Sequence, residues 1–220
     1  MRSRLLESAL KVMEQYSSQN ALIEIEFYDE EGTGLGPTHE FYTLVSRQLQ
    51  RSDLQLWRSD ASDTEYVHSA NGLFPLPLPA SRSGVKRVMM YFRFMGRFVA
   101  KALQDNRLSM ATSMYLSFTV SVDLPLSATF LKLVLGERLG MKDLALVDPP
   151  LARSLSVLQN IAAQGRGNSA DINALSKTIE DMCLTFTLPG FPHVELLVCV
   201  QCSNHVLTFV SLVERIESLL

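Results

Sequence analysis

Ile25-Glu26-Phe27-Tyr28-Asp29-Glu30-Glu31-Gly32-Thr33-Gly34-Leu35-Gly36-Pro37-Thr38-His39-Glu40-Phe41-Tyr42 changes its hydrophobic period halfway along, and the change decides how the chain is read. From Leu22 onward Ile23, Ile25 and Phe27 alternate with Glu24, Glu26 and Tyr28, a period of two that predicts a half-buried strand. Asp29-Glu30-Glu31 follows as an acidic turn. Downstream, Phe41, Leu44, Val45 and Leu49 recur at helical spacing, and Pro37 suits the first turn of that helix. Between the two, glycine stands at positions 32, 34 and 36, which suggests a loop needing backbone freedom. A phosphate cradle is discounted, because the spacing fits neither G-x-G-x-x-G nor G-x-x-x-x-G-K-[ST] and three carboxylates directly precede the loop. The loop reads as a structural turn that delivers the chain into the helix.

Working outward, Leu6, Ala9, Leu10, Val12 and Met13 predict a helix over residues 4–16, closed by Ser17-Ser18-Gln19-Asn20. Periodicity fades between Arg51 and Arg87, and Phe74-Pro75-Leu76-Pro77-Leu78-Pro79 reads as part of a long connection packed on the domain's own surface. Residues 88–104 restore a helix, with Val88, Phe92, Met95, Val99 and Ala102 on one face and Arg93, Arg97 and Lys101 as its solvated side. Another helix is expected from Ala128 to about Leu139, entered through Asp123-Leu124-Pro125-Leu126-Ser127. Asp148 then supplies an N-cap and Pro149 a first-turn proline for a helix carrying Leu151, Leu155, Leu158 and Ile161 at i, i+4, i+7 and i+10, broken by Gly165-Arg166-Gly167-Asn168-Ser169. Met182, Leu184 and Phe186 alternate with Cys183, Thr185 and Thr187 as a short strand that ends in the turn Leu188-Pro189-Gly190-Phe191-Pro192. Helices outnumber strands, so the fold class is α+β, mainly helical.

Composition narrows the function. The 220 residues are 47% hydrophobic and 20% charged with a formal charge of −3, which is enough apolar material for a packed core and excludes a disordered tail or a collagen-like fibre. Twenty basic against 23 acidic residues, with no long basic run, give little electrostatic reason to expect nucleic acid or an anionic membrane as partner. Two uncharged stretches, 109–122 and 196–213, fail as membrane spans, the first by length and the second by Gln201, Ser203, Asn204 and His205 in its middle. Charges in Met1–Lys11 interrupt any signal-peptide core. Three cysteines, an odd number, point to a reducing compartment, cytoplasm or nucleus. Cys199 and Cys202 form a C-x-x-C pair, but zinc wants four ligands and neither His193 nor His205 completes a familiar spacing, so no metal and no cofactor is expected.

Five blocks together carry a family resemblance. Residues 25–42, then Gly96-Arg97-Phe98-Val99-Ala100-Lys101-Ala102-Leu103, Asp123–Ser127, Asp143-Leu144 through Asp148-Pro149, and Leu184-Thr185-Phe186-Thr187-Leu188-Pro189-Gly190-Phe191-Pro192 resemble, in order, the HECT domain of ubiquitin ligases, specifically its plant KAKTUS-like branch. The resemblance runs from about residue 5 to 196 and covers the N-terminal lobe. It implies a large subdomain to about residue 147 and the start of an E2-binding small subdomain over about 148–196. It also implies a mechanism: such ligases take ubiquitin from a charged E2 onto their own cysteine as a thioester and pass it to a substrate lysine, two acyl transfers by covalent nucleophilic catalysis. Partners implied are an E2 ubiquitin-conjugating enzyme, with ubiquitin and protein substrate acting through the full-length ligase.

Carried over residue by residue, the family's apolar E2 groove falls on Leu151, Ser154, Leu155, Leu158 and Ile161 of the helix and on Met182, Leu184 and Thr185 of the strand. Periodicity alone leaves core and groove open, since both need an apolar stripe. Gln201-Cys202-Ser203-Asn204 offers Cys202 as a weak candidate for the ubiquitin acceptor, yet the family's preceding threonine is missing and no room is left for a hinge and second lobe. The resemblance also stops at residues 109–122, an uncharged insert, and at the divergent tail 197–220. Both are expected to be translated intron or mispredicted exon, which transcript sequencing across the junctions would test. The expectation is therefore a partial N-terminal lobe that keeps at most E2 docking and lacks the catalytic-cysteine lobe. The alternative is a non-catalytic decoy that occupies an E2, or a non-functional mis-spliced product.

Overall fold

The computed structural model describes residues 4–32, 35–78, 84–105, 122–165 and 187–195, with Lys177, Asp181 and Thr185 placed singly. In chain order the described elements are α1 (Leu5–Tyr16), α2 (Leu35–Leu49), a 3-10 turn (Ser52–Leu54), α3 (Val85–Gln104), α4 (Ala128–Val134), α5 (Met141–Val147), α6 (Pro149–Gly165) and the antiparallel pair β1 (Thr187–Leu188) and β2 (Phe191–Glu195). This is the mainly helical α+β class expected. The chain divides into two compact units, the first holding residues 1–76 and 80–130, the second 77–79 and 131–220.

The first unit is built on α3, against which α1 packs, with α1 also lying on α2. Phe41 and Tyr42 of α2 meet Phe98 of α3 at ring-centroid distances of 6.4 and 5.0 Å, and Phe94 adds a fourth ring 5.7 Å from Phe98. A second cluster joins Trp57, Phe92 and Phe130, and the Trp57 indole N–H donates to the Leu49 carbonyl at 2.9 Å. Each such ring pair is worth about 0.5–1.5 kcal/mol beyond its burial. Residues 51–87 are therefore more than a connection. Leu54, Leu56, Trp57 and Leu73 are all buried, and isolated bridges Arg51–Tyr66 and Trp57–Pro75 hold the irregular chain in place. The Phe74–Leu76 segment does lie on its own domain, exchanging backbone bonds with Arg58 and Leu56.

The period-two segment 22–27 forms neither helix nor sheet strand and turns at Tyr28, and its burial alternates as expected, with Ile23 inside and Glu24 and Glu26 outside. No sheet neighbour pairs with it among the described residues. Side chains take the role of a ladder instead: the Ile23 N–H donates to Asp105 Oδ2 at 3.2 Å and the Ile25 N–H to Thr38 Oγ1 at 3.0 Å. A strand pattern thus gives alternating burial without a sheet, because the alternate donors find acceptors on α2 and at the end of α3.

Lys101 corrects the reading of α3. Arg93 and Arg97 are exposed as expected, but Lys101 is 1% exposed, with its ammonium 3.0 Å from Asp105 Oδ1. Lys101 Nζ also donates to the carbonyls of Gln19 (3.0 Å) and Ala21 (2.7 Å), so the pair pins the chain leaving α1 to the end of α3. A buried ammonium needs that set of partners, since leaving it unpaired costs several kcal/mol.

Gly72 holds the block Asp123–Ser127. Its φ of +87° is in the left-handed region, and a Cβ there would sit 2.8 Å from the Pro125 carbonyl oxygen. That close approach lets Leu73 pair with Leu126, the Leu73 N–H donating to Pro125 O at 2.7 Å and the Ser127 N–H to Leu73 O at 3.0 Å. Ser127 then caps α4 by accepting the Phe130 N–H at 3.1 Å. The helix expected to reach Leu139 stops at Val134, where Gly136 at φ +74° closes a Schellman turn: Gly136 N–H to Leu133 O and Glu137 N–H to Lys132 O.

Candidate functional site

The helix expected to line the groove is α6, in the second unit. Its start is fixed by Asp148, whose carboxylate accepts the Leu151 N–H at 3.0 Å, with Pro149 and Pro150 in the first turn where no intrahelical N–H bond is lost. The preceding α5 packs on α6. Its own start is tied by Asp143, whose carboxylate reaches back to the Gly140 N–H at 3.0 Å and takes the Lys132 ammonium at 2.7 Å. The Lys132 hydrogen bond, then the Gly140 N–H, hold the Asp143 carboxyl below its ordinary value, and burial opposes them. Lys132 is correspondingly raised by the same hydrogen bond.

Along α6 the apolar stripe is buried unevenly. Ala152 and Leu158 are inside, at 5% and 7% exposure, whereas Leu155, which stands between them on the same side, is only half-buried. Leu151 and Ile161 are half-buried too, and Ser154 is exposed with its hydroxyl donating to the Pro150 carbonyl at 3.2 Å. The structure therefore brings the five helix residues onto one side of α6, where Leu158 is buried, Leu151, Leu155 and Ile161 are half-buried and Ser154 is exposed. Val157, on the opposite side from Leu155, is 50% exposed.

The strand half of the expected site is only partly within the described residues. Thr185 is exposed, its hydroxyl 2.8 Å from that of Thr187, while Met182 and Leu184 lie outside the described residues. Beyond Thr185, β1 and β2 form a hairpin around Pro189 and Gly190, with Gly190 at φ +79° as a type II turn requires and Leu188 opposite Phe191. The sequence showed the turn but not the returning strand, because Pro192 and the polar His193 mask its pattern. Cys183, Cys199 and Cys202, the insert 109–121 and the tail 197–220 also lie outside the described residues; Val122, the last insert position, is half-buried. Among the described residues no group of three His, Cys, Asp or Glu side chains could hold a metal ion, and no helix is long and apolar enough to cross a membrane.

Known proteins give this geometry a family. Residues 43–201 match the HECT-domain (ubiquitin-transferase) family model. The chain is 41% identical to the E3 ubiquitin-protein ligase UPL3 of Arabidopsis thaliana, covering 87% of this chain and 11% of that protein. It is 41% identical to UPL4 of the same plant over 89% of this chain and 13% of the relative, and 36% identical to TRIP12 of Danio rerio over 89% and 10%. The chain thus spans about a tenth of the length of these curated relatives. The family match takes in α3, the capped entry to α6 and the Pro189–Gly190 hairpin alike, and by its extent the chain belongs to the HECT-domain (ubiquitin-transferase) family.

Proposed function

We propose that this stretch of chain is the E2-docking part of a HECT-type ubiquitin ligase, and that the apolar row Leu151, Leu155, Leu158 and Ile161 of α6, bordered by Ser154 and Thr185, receives an apolar residue of the E2. The observation that carries the reading is the half-buried Leu155 between buried Ala152 and Leu158. A closed core would bury the middle of the stripe most completely. An opening there, on a helix whose start is rigidly capped, suits insertion of a partner's side chain. In this reading the family resemblance also assigns Met182 and Leu184, outside the described residues, to the E2 contact, with the large subdomain up to about residue 147 and the small, E2-binding one over 148–196.

The thioester step needs a cysteine thiolate held near the E2-bound carbonyl. We assign that step to a catalytic lobe beyond the matched residues and not to Cys202, so that ubiquitin and substrate act through the full-length ligase in cytoplasm or nucleus. Incubating the chain with E1, charged E2 and ubiquitin tests this division. Retained E2 with no reducible ubiquitin adduct is the expected result. An adduct abolished by Cys202→Ala would overturn the assignment. Failure to retain E2 at all would reject docking, and stable retention without discharge is what a decoy would also give.

A further inference from the structure

A second surface lies on the first unit, between α1 and α3. The chain carries a formal charge of −3, yet α3 contains Lys86, Arg87, Arg93, Arg97 and Lys101 and no acidic residue. Lys101 is neutralised by Asp105 and Arg87 donates to the Asp53 carbonyl at 3.4 Å. Lys86, Arg93 and Arg97 have no ion-pair partner among the described residues, and all three line one groove of about 420 Å³. Arg93 and Arg97 stand four residues apart, a like-charge spacing that weakens a helix unless an anion lies across it.

The same groove has an apolar floor. Leu10 and Met13 of α1 face Val85, Met89, Met90 and Phe94 of α3, and Met89 and Met90 are 60% and 44% exposed. Methionines left in water beside a basic rim form an adaptable contact surface. From Val85 to Arg97 the lining runs about 18 Å along α3, close to the length of a three-turn helix. We infer that this groove binds an acidic amphipathic helix of a partner protein, its apolar residues seated over Met89 and Met90 and its carboxylates against Lys86, Arg93 and Arg97. The narrow apolar floor favours a peptide over a nucleic acid strand or an anionic bilayer, for which a broad basic face would serve better. Glu14, the one acid on the lining, sets the direction: it stands on the α1 wall, opposite the basic α3 wall, so the peptide's carboxylates belong on the α3 side.

The probe is a fluorescent 14-residue helical peptide with leucines at i and i+4 and glutamates on one flank, titrated into the full chain by fluorescence anisotropy. Saturable binding is expected, weakened at least about tenfold by the exposed double change Arg93→Glu, Arg97→Glu and by high salt, and unaltered by Lys142→Glu, Arg153→Glu elsewhere. The charge-reversed variant should in turn bind the same peptide with lysine in place of glutamate, which separates a docking role from loss of fold. Binding no tighter than that of a scrambled peptide of equal charge, equal losses in both double variants, or preference for a single-stranded oligonucleotide or phosphatidylserine vesicles would each overturn the inference.

Discussion

Helices α3 and α6 present the same kind of sequence, an apolar stripe at helical spacing, and they use it differently. On α3 most of the stripe is closed: Val88, Met95, Phe98 and Ala102 are buried, Phe98 against the rings of Phe41 and Tyr42, and even Lys101 is drawn inside, while Phe92 and Val99 are half-buried. On α6 the stripe is anchored at Ala152 and Leu158 and left open at Leu155. The lesson is that periodicity reports which side of a helix meets apolar surroundings, while the completeness of burial separates a core from a surface able to take a partner.

Breaking the closed side should have the largest effect. Lys101→Met leaves Asp105 buried without its ammonium and frees the carbonyls of Gln19 and Ala21, a change expected to cost about 3–5 kcal/mol. Trp57, the only tryptophan of the chain and itself buried, reports unfolding of that unit directly by its fluorescence in urea. Next comes Leu158→Ala, which opens a cavity at the anchored point of α6 and should destabilise the second unit by about 2–5 kcal/mol. Leu155→Ala should cost clearly less, and hydrogen exchange across α6 compares the two.

Two finer tests follow. Gly72 and Gly84 both adopt positive φ, but only Gly72 would drive a Cβ into backbone, so both alanine variants carry left-handed strain of about 1–3 kcal/mol and the excess for Gly72→Ala measures the clash with Pro125 and Ser127. The smallest effect belongs to Asp143. Its carboxyl is held below its ordinary value of 3.8 in the folded chain, so the stability it adds is complete above that value and is lost as pH falls through the lower folded one. Asp143→Asn should lower the neutral plateau of a stability–pH curve slightly and flatten its acid limb, so that variant and parent converge at low pH.

Much of this was legible beforehand for a physical reason. Helices such as α1 and α2 bury one face, and local spacing records that face. The N-cap at Asp148 and the turn at Pro189–Gly190 are equally local. What escaped depends on distant chain. The core role of Leu54, Leu56, Trp57 and Leu73 arises from isolated bridges with no period, and segment 22–28 reads as a strand because nothing local says its partners are Asp105 and Thr38 side chains. Lys101 reads as solvated because a charged residue on a helix usually is, and Asp105, four residues later, is the one local hint of a pair. At the candidate site, the helix residues stood out by spacing, whereas the opening at Leu155 is a matter of incomplete packing that no pattern encodes.

The docking role of that opening is the central claim, and calorimetric titration of a free E2 into the chain tests it most directly. Leu155→Asp should weaken binding at least about tenfold, and Val157→Asp, on the exposed opposite side of α6, should leave it within about twofold. Equal affinities for the parent chain and Leu155→Asp, or equal losses at both positions, would contradict the account.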